Sequence, residues 1–383
     1  MTSVAYITNA SPQSGVGYRA AKIQAAISAL MLPELTLTSY EIDGVERTLK
    51  SLNQTIATQP ALPGKLQNKT VAWWYLGRAL RSQLRKQEAS IWHATNQSLS
   101  FITHGHHPTV VTVHDIIELL DPQSRFGAVA ARYLYRGIKT ADHIIAVSLY
   151  TAKTIQEAFA IPAAAITVIP NGVDSDFHPI ADFNNSFGAL RLRQDLGIQP
   201  DQKIVLAVSS DHPRKNTITT VHAFALALQQ NPRLILIKVG EPGLPAGREM
   251  LLAEIDRLNI RQHVRIINSV SHSRLNELYN VADVFIYPSL FEGFGLPPLQ
   301  AMAAGTPVIT SNATSLPEVV GDAAIIHGPD DDAAFAASIA RLTQDKTYAD
   351  NLRAKGVAQA QRFSWESAAQ AEVAVYKKIS TNS

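Results

Sequence analysis

Residues 288–309 read PSLFEGFGLPPLQAMAAGTPVI, the most specific pattern in the chain. Gly293 and Gly295 let backbone N–H groups face a ligand, because glycine adopts backbone conformations that other residues avoid. Pro297 or Pro298 suits the first turn of a helix, where the missing N–H would have no helical partner. The pattern therefore predicts a glycine loop followed by a helix, with Glu292 just before the loop. A purely structural Glu-Gly-x-Gly turn is the alternative.

A second segment, VSSDHPRKN at residues 208–216, follows a predicted strand and precedes a predicted helix. Arg214 and Lys215 beside a helix start can converge on an anion, and arginine can bond two phosphate oxygens at once. An Arg-Lys pair by itself is more often solvated surface. Few structural turns combine such a basic loop with a glycine loop, and the combination favours an anion site.

Short apolar runs alternate with helical patterns throughout, which is typical of parallel α/β sheets. We predict strands at Val4 to Thr8, Ile91 to Ala94, Val110 to Val113, Ile144 to Val147, Thr167 to Ile169, Lys203 to Val208, Leu234 to Val239, Val264 to Ile267, Val284 to Tyr287, Pro307 to Thr310 and Ala324 to Ile326. Turn-forming and polar residues at 171–186 predict a linker.

The length of 383 residues suits two domains. We predict Rossmann-like domains at residues 1–176 and 177–360, facing across a ligand cleft, and a C-terminal helix at 361–383 that packs toward the first domain. A net charge of +2 gives no case for nucleic-acid binding, and the absence of cysteine excludes disulfides and thiolate nucleophiles. We see no signal peptide and no apolar run of ~18 residues, and expect a cytoplasmic protein.

The N-terminal string Gly15-Val16-Gly17-Tyr18-Arg19-Ala20 matches the G-x-G-x-x-A pattern of dinucleotide-binding units. Such units turn tightly from strand into glycine, so that the pyrophosphate lies on the helix N-terminus. Here residues 9–14 separate Thr8 from Gly15, which predicts a flexible loop facing the cleft rather than a cofactor fingerprint. Glu41, near the second strand, keeps an NAD-dependent oxidoreductase open as an alternative.

Taken together these segments resemble retaining, sugar-nucleotide-dependent glycosyltransferases of family four, which have the GT-B fold. The resemblance spans nearly the whole chain. The sequences of the basic loop and of the Glu292 loop are similar to those of the mannosyltransferase branch, which uses GDP-mannose. The matching motifs, in chain order, are the Gly15–Gly17 loop, Val113-His114-Asp115, Val147-Ser148, Ile169-Pro170-Asn171-Gly172-Val173-Asp174, Pro213-Arg214-Lys215-Asn216 and Glu292-Gly293-Phe294-Gly295.

The resemblance implies a role for each matched residue and no cofactor, because the sugar nucleotide is a substrate. Arg214 and Lys215 would bind the diphosphate and stabilise its charge as it leaves. Glu292 would contact donor-sugar hydroxyls. Gln300 stands where the family usually has a ribose-binding glutamate, and its amide can still bond hydroxyls without a full charge. The implied donor-binding residues are Gly15, Gly17, Arg214, Lys215, Glu292, Gly293, Phe294, Gly295, Leu296 and Gln300.

The same resemblance makes His114 a catalytic candidate beside Arg214, Lys215 and Glu292, in contact with the transferred sugar but not as an obligatory general base. We predict no metal site, because the two cations and a helix N-terminus can replace a metal. The run Asp330-Asp331-Asp332 is interpreted as a solvated helix start. The remaining candidate histidines are interpreted as loop residues near the acceptor side: His93, His104, His106 and His107.

The partners implied are a nucleotide-sugar donor and a glycan or lipid-diphosphate-linked acceptor, with no nucleic acid. Residues 65–139 carry ten basic and four acidic side chains, an excess of about six positive charges. Trp73, Trp74, Tyr75, Tyr133 and Tyr135 interleave with them. Peripheral contact with an anionic membrane is one reading, and ordinary amphipathic helices are the other. A non-catalytic sugar-nucleotide-binding subunit is the remaining functional alternative.

Overall fold

Two separate sheets organise the chain in the computed structural model, which describes residues 2–8, 15–43, 48–51, 54–58, 81, 84, 87–121, 125–243 and 245–381. The chain divides into two compact units, and each contains one of the sheets. The first unit comprises Met1–Gly172 and Trp365–Ser383, and the second comprises Val173–Ser364. The loop at residues 9–14 and the aromatic residues Trp73, Trp74 and Tyr75, which the sequence analysis singles out, lie outside the described residues.

The sheet of the first unit has eight strands in the order β4-β3-β2-β1-β5-β6-β7-β8. Their bounds are β1 Thr2–Thr8, β2 Leu35–Asp43, β3 Thr48–Ser51, β4 Gln54–Thr58, β5 Ile91–Ala94, β6 Thr109–Val113, β7 His143–Ala146 and β8 Ile166–Val168. From β2 to β8 all neighbours are parallel, as predicted, but β3 and β4 add an antiparallel edge that the sequence analysis does not predict.

The second sheet is parallel throughout and has six strands in the order β11-β10-β9-β12-β13-β14. Their bounds are β9 Lys203–Val208, β10 Leu234–Val239, β11 Val264–Ile267, β12 Val284–Tyr287, β13 Val308–Ser311 and β14 Ile325–His327. Both faces of the central strands are buried, since Leu206 and its neighbour Val205 are each fully inaccessible to solvent. Every such apolar side chain contributes about 1.5–3 kcal/mol to the core.

Helices connect the strands in both units. The α-helices of the described residues are α1 Gly15–Ala29, α2 Ser100–Thr103, α3 Ile117–Leu120, α4 Arg125–Leu134, α5 Leu149–Phe159, α6 Phe187–Asp195, α7 Thr217–Gln230, α8 Pro245–Arg257, α9 His272–Val281, α10 Leu296–Ala303, α11 Leu316–Val320, α12 Asp332–Gln344, α13 Lys346–Ala360 and α14 Trp365–Ser380. With their strands they build one apolar core in each unit.

The C-terminal helix α14 belongs to the first unit, where it packs on α1. Arg19 of α1 donates a hydrogen bond to Glu372 of α14 at 3.2 Å, and both side chains are buried. Tyr376 donates to the other carboxylate oxygen of Glu372 at 2.9 Å, and its hydroxyl lies 2.6 Å from His93 Nδ1. A polar network thus fastens α14 inside the first unit.

Candidate active site

The candidate site lies at the carboxyl ends of β9 and β12, which are neighbours in the second sheet. Strand order reverses between these two strands, and in open parallel sheets ligands bind at such a switch point. The basic loop follows β9 and the Glu292 loop follows β12. The two loops touch directly, because Leu290 N donates to the carbonyl oxygen of Arg214 at 2.8 Å. The fold therefore brings together the two segments that the sequence singles out.

The basic loop is held by its own turn and by Asn216. Pro213–Lys215 form one turn of 3-10 helix, and the His212 ring accepts a hydrogen bond from Arg214 N. Asn216 has a φ of +53°, a conformation that asparagine tolerates better than most residues. Its amide nitrogen donates to the carbonyl oxygens of Pro288 at 3.1 Å and Pro329 at 2.8 Å. One side chain thereby joins three loops around the site.

Glu292 is the centre of the site and is only 7% exposed. Its Oε1 atom accepts three hydrogen bonds, from Lys215 Nζ at 2.6 Å, Ser289 Oγ at 2.7 Å and Tyr287 OH at 2.8 Å. Its Oε2 atom lies 3.6 Å from Arg214 Nη1. The predicted residues Arg214, Lys215 and Glu292 are thus in mutual contact.

The site keeps its charges despite this burial. Burial by itself raises the pKa of the Glu292 carboxyl, but the charges of Lys215 and Arg214 and the hydrogen bonds outweigh it, so the pKa is lowered. Burial, and then the Glu292 charge, raise the pKa of the Tyr287 hydroxyl well above its ordinary value. At neutral pH the site therefore contains a carboxylate, two cations and a neutral phenol.

The glycine loop ends at Gly295, which has a φ of +113° and begins helix α10. The positive φ favours glycine here, and a Cβ atom would also lie 2.8 Å from Leu316 Cδ2, so that side chain would have to shift. Ser315 Oγ donates to the carbonyl oxygens of Glu292 and Phe294, each at 2.9 Å. These contacts orient the loop's peptide groups at the start of α10, where Leu296 is the first helical residue.

Gln300 lies in the second turn of α10 and contacts a buried tyrosine. Tyr279 OH donates to Gln300 Oε1 at 3.4 Å and to the carbonyl oxygen of Pro297 at 3.3 Å. This contact fixes the amide so that its oxygen faces Tyr279. The NH₂ group of Gln300 then points away from Tyr279. This group donates hydrogen bonds, whereas a glutamate oxygen at the same place would accept them.

A buried ionic cluster lies at the start of the basic loop, and the sequence analysis did not predict it. Asp211, at the start of the loop, is paired with Lys238 Nζ at 2.8 Å and with Arg248 Nε. Lys238 also donates to the carbonyl oxygen of Ser209 at 2.5 Å. Lysine in the middle of an apolar strand, at Leu234–Val239, is the sequence signal that could have revealed a buried partner.

His114 lies in the first unit, directly after β6, and is 7% exposed. Its Nε2 atom is 3.1 Å from the carbonyl oxygen of Thr95, so Nε2 carries the proton and Nδ1 is the acceptor. Burial, and then the charge of Arg19, lower the pKa of His114 to about 3. The ring is therefore neutral at pH 7 and a weak base, in keeping with a contact role.

Gly15 and Gly17 occupy the first turn of α1 in the same unit. A Cβ atom at Gly15 would meet no atom within 4 Å, whereas Gly17 is buried. Space therefore does not require glycine at position 15. Neither residue belongs to the unit that contains Arg214 and Glu292.

The other histidines have structural contacts. His104 and His107 bond Thr140 and Asp142, and His106 packs on Trp92. The prediction that His93 is a loop residue is wrong, because it lies on β5. Its ring is fully buried, and its two nitrogens are hydrogen-bonded to Tyr376 and Thr112.

The acidic residues show one group with metal-like spacing. Asp331 caps α12 by accepting from Ala334 N, as a helix start does. Within the described residues, the ligand atoms of Asp174, Asp176 and His272 lie within 4.8 Å of one another, although Asp176 and His272 are exposed. These three residues are not among the predicted site residues.

Comparisons with known proteins show the family to which the chain belongs. The sequence model for glycosyl transferases group 1 matches residues 190–361, and the model for glycosyltransferase family 4 matches residues 39–177. The O-antigen chain mannosyltransferase B of Escherichia coli is 32% identical over 301 residues, which cover 77% of this chain and 76% of that protein. The chain belongs to glycosyltransferase family 4.

A second relative and a solved structure share different features with this glycosyltransferase. The serotype-specific mannosyltransferase WbdA of Escherichia coli is 32% identical over 269 residues, and the match spans 68% of this chain but only 32% of WbdA. Sucrose-phosphate synthase from Thermosynechococcus elongatus has the same fold, with a TM-score of 0.77, 20% identity and complete coverage of both chains. The predicted GT-B fold is thereby confirmed.

Family membership also answers the question raised by the N-terminal glycines. A family 4 glycosyltransferase is not an NAD-dependent oxidoreductase, so the dinucleotide alternative for Gly15–Ala20 is wrong. Across the described residues, no helix of the glycosyltransferase is long and apolar enough to cross a membrane.

Proposed function

We propose that this glycosyltransferase transfers mannose from GDP-mannose to a glycan or lipid-linked acceptor, with retention of configuration at the anomeric carbon. The observation that carries the proposal is the Lys215–Glu292 pair, with Arg214 beside it, at the switch point of the second sheet. The choice of mannose is supported by two relatives that are named mannosyltransferases.

In this proposal the donor binds to the loops after β9 and β12. Arg214 and Lys215 bind the diphosphate, and Glu292 accepts hydrogen bonds from hydroxyls of the sugar. Backbone N–H groups of Phe294 and Gly295 assist at the start of α10, with Gly293 and Leu296 beside them. Gln300 bonds the ribose. Contacts of His114, Gly15 and Gly17 with the donor are part of the same proposal and rest on the family resemblance.

The proposed chemistry is a same-face displacement. The bond between the anomeric carbon and the phosphate oxygen breaks while a bond to the acceptor oxygen forms on the same face. The acceptor's proton passes to the departing diphosphate. Negative charge grows on that diphosphate, so cations that are already in place stabilise the transition state more than the ground state. The low pKa of His114 supports a mechanism in which this residue contacts the sugar and is not the base.

Metal independence is part of the proposal, because Arg214, Lys215 and the N-terminus of α10 supply the positive field. We expect full turnover in EDTA. Loss of transfer on chelation, with recovery on adding magnesium or manganese, would contradict this reading of the site.

The acceptor is proposed to approach from an anionic membrane surface. Helix α4 and the segment after it carry exposed Arg132 and Lys139. Val129 is 61% exposed and lies three positions before Arg132 on α4, so apolar and basic side chains share one face of this helix. Sedimentation with phosphatidylglycerol vesicles, but not with phosphatidylcholine vesicles, is expected. The double variant Arg132→Glu/Lys139→Glu should lose it.

A donor screen tests the function as a whole. Purified protein is incubated with GDP- and UDP-sugars, and both nucleotide release and protection from unfolding are measured. GDP-mannose should give the strongest protection and measurable hydrolysis. If the protein binds sugar nucleotides but releases no nucleotide with any acceptor, a non-catalytic sugar-nucleotide-binding subunit is favoured instead. Gln300, in place of the family's glutamate, is the feature that supports this alternative.

A further inference from the structure

Tyr287 is an uncharged residue at the centre of the site. It is the last residue of β12 and is 2% exposed. Its hydroxyl accepts a hydrogen bond from Lys215 Nζ at 2.9 Å and donates one to Glu292 Oε1 at 2.8 Å. The Lys215 ammonium also lies 5.4 Å from the centre of the Tyr287 ring. One phenol therefore contacts two of the three charged residues of the proposed donor site, Lys215 and Glu292.

We propose that Tyr287 is a positioning residue, whose hydroxyl holds Lys215 and Glu292 in a single arrangement that leaves Glu292 Oε2 for the donor sugar. This inference rests on the proposed function, because it concerns the same site. Tyr287 itself touches the two charged side chains and acts on the donor only through them.

The hydrogen-bond pattern of Glu292 supports this role. Oε1 accepts three hydrogen bonds, whereas none of the described residues donates one to Oε2. The hydrogen bonds that orient the carboxylate thus all act on Oε1, while the Arg214 guanidinium lies 3.6 Å from Oε2. Ser289 divides its single proton among Glu292 Oε1 and the carbonyl oxygens of Arg214 and Phe291. Tyr287 donates only to Glu292 among the described residues, so it is the more constant of the two hydroxyl donors.

Lys215 needs such a partner because of its own structure. A lysine ammonium is a point charge on a flexible stem, unlike the planar guanidinium of arginine. The contact with Glu292 sets the distance of the ammonium from the carboxylate, but a single contact does not by itself define a direction. The Tyr287 oxygen adds a second fixed point on a buried strand, and the position of the ammonium is then defined relative to the leaving diphosphate.

The variant Tyr287→Phe removes the hydroxyl and keeps the ring. The ring stacks on Phe285 at 5.9 Å, and this packing does not involve the hydroxyl. We expect kcat to fall about 10- to 100-fold, somewhat less than for removing a direct transition-state donor. The dissociation constant for the donor should change less than about threefold, because Arg214 and Lys215 remain.

Two readouts distinguish positioning from a merely structural role. The hydroxyl stabilises the charged form of Glu292, so its loss should raise the pKa of that carboxyl. The acid limb of the kcat profile should therefore move to higher pH. The same shift should appear in a carbon-13 NMR titration of glutamate-labelled protein, with the Glu292 signal assigned through Glu292→Gln. The NMR titration needs no substrate.

Tyr348→Phe, in the same unit, is the matched control, and it should change neither readout. If the Tyr287→Phe protein is folded and keeps its kcat and the Glu292 titration, the proposal is overturned. If Tyr287→Phe does not fold, Ser289→Ala removes another donor to the same oxygen and should produce a smaller shift in the same direction. A wild-type protein that turns over no GDP- or UDP-sugar would contradict the proposed function, while the NMR titration would still decide the role of Tyr287.

Discussion

At the scale of single residues, Lys215 is the side chain whose loss should separate turnover from binding. It is 12% exposed and bonds Glu292 and Tyr287. Its charge matters most when the diphosphate departs, because negative charge then grows beside it. Lys215→Ala should lower turnover by ~10²- to 10³-fold, the usual scale for one preorganised donor. Donor affinity should fall much less, since Arg214 and backbone amides still bind the phosphates.

The measurement is steady-state turnover together with the dissociation constant for the sugar nucleotide, with folding checked by circular dichroism. Lys378→Ala, at an exposed position of α14, is the control and should behave like wild type. A folded Lys215→Ala protein with near-normal turnover would remove Lys215 from the mechanism.

Gln300 offers a gain-of-function prediction at the same scale. Its oxygen faces Tyr279, so its NH₂ group is left for the proposed ribose contact. In Gln300→Glu, a carboxylate would accept hydrogen bonds from ribose hydroxyls, while Tyr279 could still donate to it. Donor affinity should rise several-fold, about 1 kcal/mol for one charge-assisted bond. Titration calorimetry with GDP measures it, and an unchanged or weaker affinity would mean that Gln300 does not contact the nucleotide.

At the scale of elements, His222 of α7 joins two other helices through its ring. Nδ1 lies 2.9 Å from Asp332 of α12, and Nε2 lies 2.5 Å from Glu254 of α8, which is also bonded by Arg257. Burial by itself lowers the pKa of His222, but the hydrogen bonds to the two carboxylates outweigh it and raise the pKa. Only the protonated ring donates to both carboxylates.

This junction should make stability depend on pH. Because the folded pKa of His222 is raised above 6.5, the protonated ring contributes its full stabilisation below pH 6.5, and the contribution is lost as the pH rises through the folded pKa. Glu254 behaves in the opposite way: hydrogen bonds from Arg257 and then His222 lower its pKa from 4.5 to about 2, so its contribution is complete above pH 4.5 and is lost as the pH falls towards 2.

His222→Gln, which carries no charge at any pH, tests the junction. Relative to this variant the wild type should be more stable by roughly 1 kcal/mol between pH 5 and 6, since the ring is partly exposed to solvent. The difference should shrink at higher pH. Urea unfolding at several pH values measures it, and a difference that does not vary with pH would contradict the prediction.

The pair Arg19–Glu372 joins α1 to α14 and is fully buried. Removing one partner of a buried pair leaves an uncompensated charge, so Glu372→Gln should destabilise the first unit by about 3 kcal/mol. Among the described residues, Arg19 Nε and Nη2 have no hydrogen-bond partner, so the guanidinium itself is poorly compensated. Arg19→Met/Glu372→Gln should therefore regain most of the loss. Thermal unfolding measures both variants, and a double variant no better than the single one would contradict this account.

At the scale of the whole molecule, the two units have separate apolar cores, and Arg214, Lys215 and Glu292 all belong to the second. We predict two unfolding transitions in calorimetry. GDP should shift the transition of the second unit by about 2.7 kcal/mol at a hundredfold excess over its dissociation constant. Lys215→Ala should reduce that shift only slightly. An equal shift of both transitions, or a single transition, would show that the units do not unfold independently.

Much of the fold could be predicted because buried parallel strands read as continuous apolar runs. The predicted bounds of β5, β9, β10, β11 and β12 agree with the structure at both ends. The strand β2 at Leu35–Asp43 was given no predicted bounds, although Glu41 was placed near a second strand. Its segment LTLTSYEID alternates apolar with polar residues, and of residues 35–42 only Tyr40 and Ile42 are buried. The antiparallel edge, β3 and β4, has no continuous apolar run either.

The candidate site was predictable in its residue types and not in its contacts. Arg214, Lys215 and Glu292 stand out because charged residues beside glycine and proline turns at strand ends are typical of anion sites. Their partners Tyr287 and Ser289 look like ordinary strand and turn residues, and Lys238 seemed only to interrupt an apolar strand. Nothing local distinguishes a tyrosine that bonds a glutamate from one that only packs.

The sequence by itself determined the parallel strands of both sheets except β2, the membership of the family and the residues that carry the charge of the site, because these depend on local pattern and composition. Only the tertiary structure decided that Lys215 meets Glu292 and Tyr287, some 70 positions along the chain, and that Glu372 meets Arg19. Such pairs depend on the order of strands in the sheet and on which helix packs against it. Both are set by the burial of whole elements rather than by the neighbours of a residue in the chain.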